Sequence, residues 1–567
     1  MNKIYQSQET EDINFENIYQ TCVENQANIE QLERTQIDNL HIQIYDLSLT
    51  YIQSIFHKIY PYKIIKNLKL SFRTNYHIYK QNQYIQVLAQ LLFNICQIEH
   101  IIINKYKTAI TIQNIIPFLK EAQNNLELNQ LTICFNFLKE KYEKEINYNL
   151  MLFSQELGYL SQIKKLNFSL QNFQLNQQYA QGIFQGFRDY HHIEKLDLKI
   201  LINDVQIQIF QYIKEQISYL INLKELNFQI QISETNLEQI QKIIQELMIS
   251  LKLLEVFSIN ILFKQRNNIA YKQTVLEENL IPQNSIKKLT VNIKNDESIA
   301  NNISFSNFSN QIFFGLKHLE QISWDLTNCS EINFEHFCQI LNNNINLKNL
   351  KLKIGNNKNL NSLCLSIQRA QLLENLNIKL KYAISQVDGI QEISQLFKCI
   401  KQLKYLKLDL LNVEVNSEIL NALAFEIGSC QQLQILIFKF DFNVIKNIDQ
   451  VKFFKNLQKN QYLNYLQLDF STYKREKILK IKIQEDFSFY NCNTYNPFRQ
   501  MEKNKQQLQQ FESFEEEVNM NIKKFKRLVK CDCILDRLIE WFECGYDNEQ
   551  NYIFLDSDED SYYIDDF

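Results

Sequence analysis

The chain has 567 residues, with 60 basic and 64 acidic side chains for a net charge of −4, and 45% of it is hydrophobic. That near-neutral balance gives no global attraction to nucleic acid or to an anionic membrane surface. Only 8 Gly and 4 Pro occur, and the many Asn, Gln and Lys residues fall within a repeat period, which excludes a loop-rich or low-complexity chain.

Residues 1–36 are polar with a helically spaced apolar patch over 13–32, as expected of a cap on the open edge of a first strand. An adaptor helix set recruiting a ubiquitin ligase would also sit there, but no matching motif is present. MNKIYQSQETED lacks the apolar core of a secretory signal, and no run reaches the roughly 20 apolar residues of a spanning helix. The expected compartment is the cytoplasm.

From Ile37 onward one pattern recurs fifteen times: an apolar residue, then apolar residues at offsets three, five and seven, with the one departure Lys105 at the last position of the copy from Ile98. Clear copies are LKELNFQI from Leu223, LKNLKLKI from Leu347, LENLNIKL from Leu373, LKYLKLDL from Leu403, LQILIFKF from Leu433 and LNYLQLDF from Leu463. Others start at Ile65, Ile98, Leu128, Ile163, Ile193, Leu254, Ile286 and Leu319, and successive starts lie 26 to 35 residues apart. Units of this length cannot bury an apolar face alone and stack on their neighbours.

Inside each copy the period of two predicts a strand with one buried face. Between copies the period lengthens. Ile240, Ile243, Ile244, Leu247 and Leu251 predict a helix over 235–251, with Thr235 and Glu238 at capping-box spacing; Ile419, Leu420, Leu423 and Ile427 predict one over 417–427, with Gly428 at its end. Each unit is thus a strand, a loop and a helix. The fold class expected is α/β: a leucine-rich repeat solenoid over 37–490, its curved parallel sheet inside and its helices outside. Fourteen steps of roughly 4.8 Å give a sheet of about 65–70 Å.

Beyond the last full copy, Leu479, Ile481 and Ile483 alternate with Lys480 and Lys482 and predict a final edge strand. Val518, Ile522, Phe525, Leu528, Leu535, Leu538 and Phe542 then predict a helix over 515–544, within a helical C-terminal segment at 491–545. Its stretch IKKFKRLVK is basic and amphipathic, the pattern of a packed helix with a solvated cationic face or of a calmodulin or membrane-surface target. Cys531 and Cys533 match no zinc spacing, and no metal or cofactor is expected. The twelve scattered cysteines read as reduced core thiols. The chain closes on an acidic tail, 546–567, where Ser557 precedes Asp558, Glu559 and Asp560 as in the substrates of acid-directed kinases.

The units resemble the long, ribonuclease-inhibitor-like class of leucine-rich repeats, and AFEIGSCQQLQILIFKF (424–440) resembles the repeats of protist, ciliate-type proteins. The resemblance spans about 37–470 and implies a binding scaffold. The Asn or Cys that the class places after the strand is mostly replaced: position nine holds Arg73, Asn136, Gln171, Gln231, Gly355 or Asp441. Ran-type activators of small GTPases resemble this architecture and use an arginine in an early strand-to-helix loop, a place Arg73 occupies.

The wet strand positions should meet a partner. They are mostly neutral through Asn292, whereas the last repeats present Lys351, Lys353, Lys379, Lys407 and Lys439 with Tyr405 and Tyr465 beside them, and Asp409 and Asp469 as carboxylates. Such a patch fits an acidic protein segment. No phosphate loop, HExxH, G-x-S-x-G or kinase signature occurs, and His191 with His192 fits no catalytic spacing. The expected function is a non-enzymatic protein-interaction scaffold; the alternatives are a small-GTPase regulator and a ubiquitin-ligase substrate-recognition subunit. No nucleic acid and no membrane span are expected.

Overall fold

A computed structural model describes residues 37–44, 65–72, 89, 93, 98–105, 112–136, 143–171, 175–201, 207–232, 237–263, 285–295, 313, 315–326, 334–355, 360–380, 387–411, 413, 415, 417–440, 450–469 and 530–534. The expected cap (1–36), Arg73, Thr235, the strand expected at 479–483 and the acidic tail (546–567) lie outside these residues.

Among the described residues, sixteen strands form one sheet: β1 (Ile37–Ile44), β2 (Ile65–Phe72), β3 (His100–Lys105), β4 (Gln130–Asn136), β5 (Lys165–Gln171), β6 (Lys195–Leu201), β7 (Glu225–Ile232) and β8 (Val256–Phe263), followed by β9 (Lys288–Asn295), β10 (Gln321–Leu326), β11 (Asn349–Ile354), β12 (Asn375–Leu380), β13 (Tyr405–Leu410), β14 (Ile435–Phe440), β15 (Tyr465–Asp469) and β16 (Lys530–Ile534). They lie in strict sequence order, and each pairing is parallel. The described helices are α1 (Ile112–Ala122), α2 (Glu143–Gly158), α3 (Gln177–Phe184), α4 (Ile207–Ile217), α5 (Leu237–Ser250), α6 (Phe334–Asn343), α7 (Asn361–Gln368), α8 (Val387–Cys399), α9 (Ser417–Gly428) and α10 (Gln450–Leu457). A strand followed by a helix, repeated along an unclosed parallel sheet, is an α/β solenoid of the leucine-rich repeat type.

The repeat pattern becomes a set of columns because its copies pair in register: Leu376 faces Leu350 on one side and Leu406 on the other. β12 and β14 alternate half-buried and buried residues along their whole length. From Ile98 to Leu463 the first apolar residue of each copy is at most 3% exposed. Each such leucine contributes about 1.5–3 kcal/mol by burial. Helix side chains close the core from the other face, and Phe135, Phe153, Phe168, Phe184 and Phe187 meet in edge-on and stacked contacts at 5.2–6.4 Å.

Two expectations change at the ends of elements. Gly428 closes α9 as expected, but its role is close approach: a Cβ there would lie 2.0 Å from the carbonyl oxygen of Asn456 in α10. Within the stretch 515–544, where a helix is expected, the described residues Lys530–Ile534 form β16 instead, so the sheet runs past 490. Leu528, Cys531, Cys533 and Leu535 carry the repeat's offsets, with Cys531 and Cys533 in register with Leu466 and Leu468. The backbone of β15 would otherwise present an unpaired edge, and a short alternating segment satisfies it where a helix could not.

Asparagine does bind loop backbone here, but before the strand. Three residues ahead of a repeat start, Asn344 accepts from Leu319 N–H (2.8 Å) and donates to the carbonyls of Leu316 (2.8 Å) and Ile340 (2.7 Å). At the equivalent place Asn460 donates to Cys430 and Leu433 at 3.0 and 2.9 Å, and Asn125 donates to Ile98 at 3.4 Å. These side chains sew one unit to the preceding one.

Cys338, Cys364 and Cys430 are buried free thiols, Cys134 is half-buried and Cys399 is exposed. Burial pushes the Cys430 thiol up to about 11, against a smaller opposing effect of Lys401.

Candidate protein-binding face

The face of the sheet opposite the helices is built from offsets one, two, four and six of every copy. At offset one the sign of charge alternates from Glu194 through Lys224, Glu255, Lys287, Glu320, Lys348 and Glu374 to Lys404. Ion pairs join Lys224 to Glu194 (2.8 Å), Lys287 to Glu255 (3.2 Å), Lys348 to Glu320 (3.3 Å) and Lys404 to Glu374 (3.0 Å). The hydrogen bond from Lys224 holds the Glu194 carboxyl below its ordinary range, and the same bond raises Lys224. Underneath, the amides at offsets one and two share a carbonyl of the previous unit, as Lys224 and Glu225 do on Glu194 at 2.8 and 3.0 Å. This rim is self-neutralising.

Offset six carries a second set of charges. Lys353 pairs with Asp325 (3.2 Å), Lys379 with Asp409 (3.2 Å) and Lys439 with Asp469 (3.1 Å). Asp325, Asp409 and Asp469 are only 8, 2 and 7% exposed, and carboxylates that far from water require a cation. All five expected lysines do come together on β11–β14, yet three of them neutralise carboxylates of the same face. Asp325, one strand before the expected patch, adds a third carboxylate to the two expected. Five lysines against three aspartates leave a formal excess of two positive charges over β10–β15.

Tyr405 and Tyr465 are both half-buried at offset two, on either side of Ile435. Burial raises the Tyr405 hydroxyl above its ordinary pKa, and the Tyr465 hydroxyl donates to Gln467 at 3.2 Å. Ile437, at offset four between Lys407 and Gln467, is half-buried on the same face. Neither isoleucine belongs to the expected patch, although their wet-side offsets were legible in the sequence. An apolar centre of Tyr405, Ile435, Ile437 and Tyr465 is thus flanked by Lys407 and Lys439.

A groove of about 460 Å³ lies elsewhere on the same face, over β4–β9, lined among others by Thr132, Asn167, Asp197, Asn227, Ser258 and Asn292. Asn167 donates to Thr132 (3.1 Å), Thr132 also bonds the His100 ring (3.2 Å), and Asn227 donates to Asp197. Short polar side chains leave a depression there, whereas lysines and tyrosines fill the surface of β11–β15. The short side chains at the mostly neutral wet positions of these repeats are what make the groove.

His191 and His192 sit in the turn before β6; the His191 carbonyl accepts from Asn222 at 2.6 Å, and burial lowers the His192 pKa. Among the described residues no group of three or more His, Cys, Asp or Glu is placed to hold a metal ion, and no helix is long and apolar enough to cross a membrane.

No protein-family model matches the chain, and no curated protein matches it. Among solved structures it is similar to a chain in the crystal structure of the Rad7 and Elc1 complex in yeast, with 13% sequence identity, a TM-score of 0.32 and coverage of 84% of this chain and 91% of that one.

Proposed function

We propose that this protein is a non-enzymatic scaffold of the cytoplasm that holds a protein partner on the open face of its sheet. Lys351, Lys353, Lys379, Lys407 and Lys439, with Tyr405 and Tyr465, are the proposed contacts for an acidic segment of that partner. The repeats are read as the long, ribonuclease-inhibitor-like class, similar to those of protist proteins. The observation that carries the reading is the apolar centre on β13–β15: two tyrosines and two isoleucines clustered half-exposed and flanked by charge, where the apolar residues elsewhere on the face, Ile102 and Val256, stand singly. Interfaces have this anatomy, an aromatic and aliphatic centre inside a polar rim.

The lysine–aspartate pairs fit such a role. A lysine already held by a carboxylate keeps hydrogen-bonding capacity for a second acceptor, and it reaches the interface with little rotamer freedom left to lose. The decisive experiment captures partners with the full chain from its own cells, in parallel with Ile437→Asp and, as a control on the helical face, Leu365→Asp. Loss of a stoichiometric partner in Ile437→Asp alone supports the assignment. Equal retention in both variants overturns it and moves the site toward the neutral groove.

A further inference from the structure

We infer that the β13–β15 centre is an interaction surface for this chain's own acidic segment, residues 552–567, docked in cis. The inference deepens the reading above, since it names an occupant for the same face.

Chemistry matches on both sides. The segment YIFLDSDEDSYYIDDF interleaves Tyr552, Phe554, Tyr562, Tyr563 and Ile564 with Asp556, Asp558, Glu559, Asp560, Asp565 and Asp566 and has no basic residue. The surface offers Tyr405, Ile435, Ile437 and Tyr465 on β13–β15, where Lys407 and Lys439 are matched by Asp409 and Asp469, and the formal excess of two positive charges adjoins it on β10–β12. Lys439, whose head pairs with Asp469 at 3.1 Å, shares β14 with Ile435 and Ile437, and a cation beside apolar side chains suits alternating aromatic and acidic residues more than a uniform acidic run.

Connectivity matches as well. β16 pairs directly with β15, so the chain ends its last described strand at Ile534, beside the surface. Ile435 on β14 is two strands away, roughly 10 Å. The 17 residues between Ile534 and Tyr552 span up to about 55 Å when extended, more than enough to turn onto the face. Tethering over that distance gives an effective concentration of the order of millimolar, so even a contact with a dissociation constant near 0.1 mM would be about nine-tenths occupied in cis. A partner in trans with the same chemistry must displace it.

The test places p-benzoylphenylalanine at Tyr563 in the full chain, irradiates it, and maps the products by mass spectrometry. The expected result is a cross-link within one chain, at monomer size, to β13–β15. It should fall at least about fivefold in Ile437→Asp, and similarly without any further substitution when salt is raised from about 50 to about 500 mM, which shortens the Debye length from roughly 14 to roughly 4 Å. Ser258→Asp, on the same face but over the groove, should leave it unchanged. Cross-links only to other parts of the chain, only between chains, or none to the sheet would overturn the inference. The partner capture described above separates the two readings: a partner lost in Ile437→Asp with no cis cross-link leaves the scaffold standing and removes the cis occupant.

Discussion

Replacing Asn344 with alanine removes one side chain that serves three backbone groups of two successive units: Leu319 N–H and the carbonyls of Leu316 and Ile340, at 2.7–2.8 Å. Asn344 is fully buried, so water cannot take over these bonds without opening the structure. The stranded amide and the Leu316 carbonyl each cost about 1–3 kcal/mol, and the helix-end carbonyl somewhat less, which sums to roughly 3–5 kcal/mol. Asn344→Leu separates packing from hydrogen bonding, because leucine already occupies this place as Leu160, Leu220, Leu251 and Leu316, each at most 1% exposed. In three of those units the start residue's amide bonds the carbonyl three residues back, as Ile163, Leu223 and Leu254 do at 3.0–3.2 Å. Leucine should therefore restore the volume and still leave a loss of about 2–3 kcal/mol. Because each repeat touches only its neighbours, the damage should be local. Hydrogen exchange should accelerate across β10, α6 and β11 well before β5 or β13 respond, with denaturant melting of the full chain as the global measure. Unchanged exchange and a melting midpoint within error for Asn344→Leu would refute the staple, since the three groups would then have other partners.

Lys379→Met strips the cation from Asp409, whose side chain is 3% exposed while that of Lys379 is 25% exposed, and should cost about 1–3 kcal/mol after allowance for solvent at the lysine. Adding Asp409→Asn should recover most of it, because the amide oxygen can still accept from Leu411 N–H at 3.3 Å; chemical denaturation of the two variants checks the sign. Gly428→Ala drives a methyl group to 2.0 Å from Asn456 O, so α9 and α10 must separate at about 3 kcal/mol, read as a lower melting temperature. Burial lowers the pKa of both His100, beside Lys165, and His192, beside His191. Each imidazole then binds its proton more weakly folded than unfolded, so stability should be full above the unfolded pKa of 6.5 and fall as pH drops from 7 toward 5. His100→Gln should flatten part of that slope in melting curves taken across the range.

How legible the molecule was differs by element. α5 and α9 fall where their apolar spacing put them, and the fifteen strands fall on the fifteen copies, because both patterns are local and repeat often enough to confirm one another. β16 was legible in principle, through Leu528, Cys531, Cys533 and Leu535. It was hidden by a gap of 65 residues from the previous start at Leu463, by cysteines standing for leucines, and by flanking residues at helical spacing. The site was half legible. Lys351, Lys353, Lys379, Lys407, Lys439, Tyr405 and Tyr465 do share one face, as the offsets require. Their charges could not be read singly, since whether Lys379 looks toward Asp409 depends on a neighbour 30 residues away in the chain.

Which residues point into the core and which unit follows which can be read along the chain, because alternation along a strand and a repeat of about 30 residues leave one way to bury the leucines. What happens between units arises from the stacking itself: the asparagines that sew one repeat to the last, the glycine that lets α9 meet α10, the aspartates that occupy three lysines, and the groove left by short side chains over β4–β9. Those features depend on distances between residues brought together by stacking, and a pattern along one chain carries direction and period but not distance.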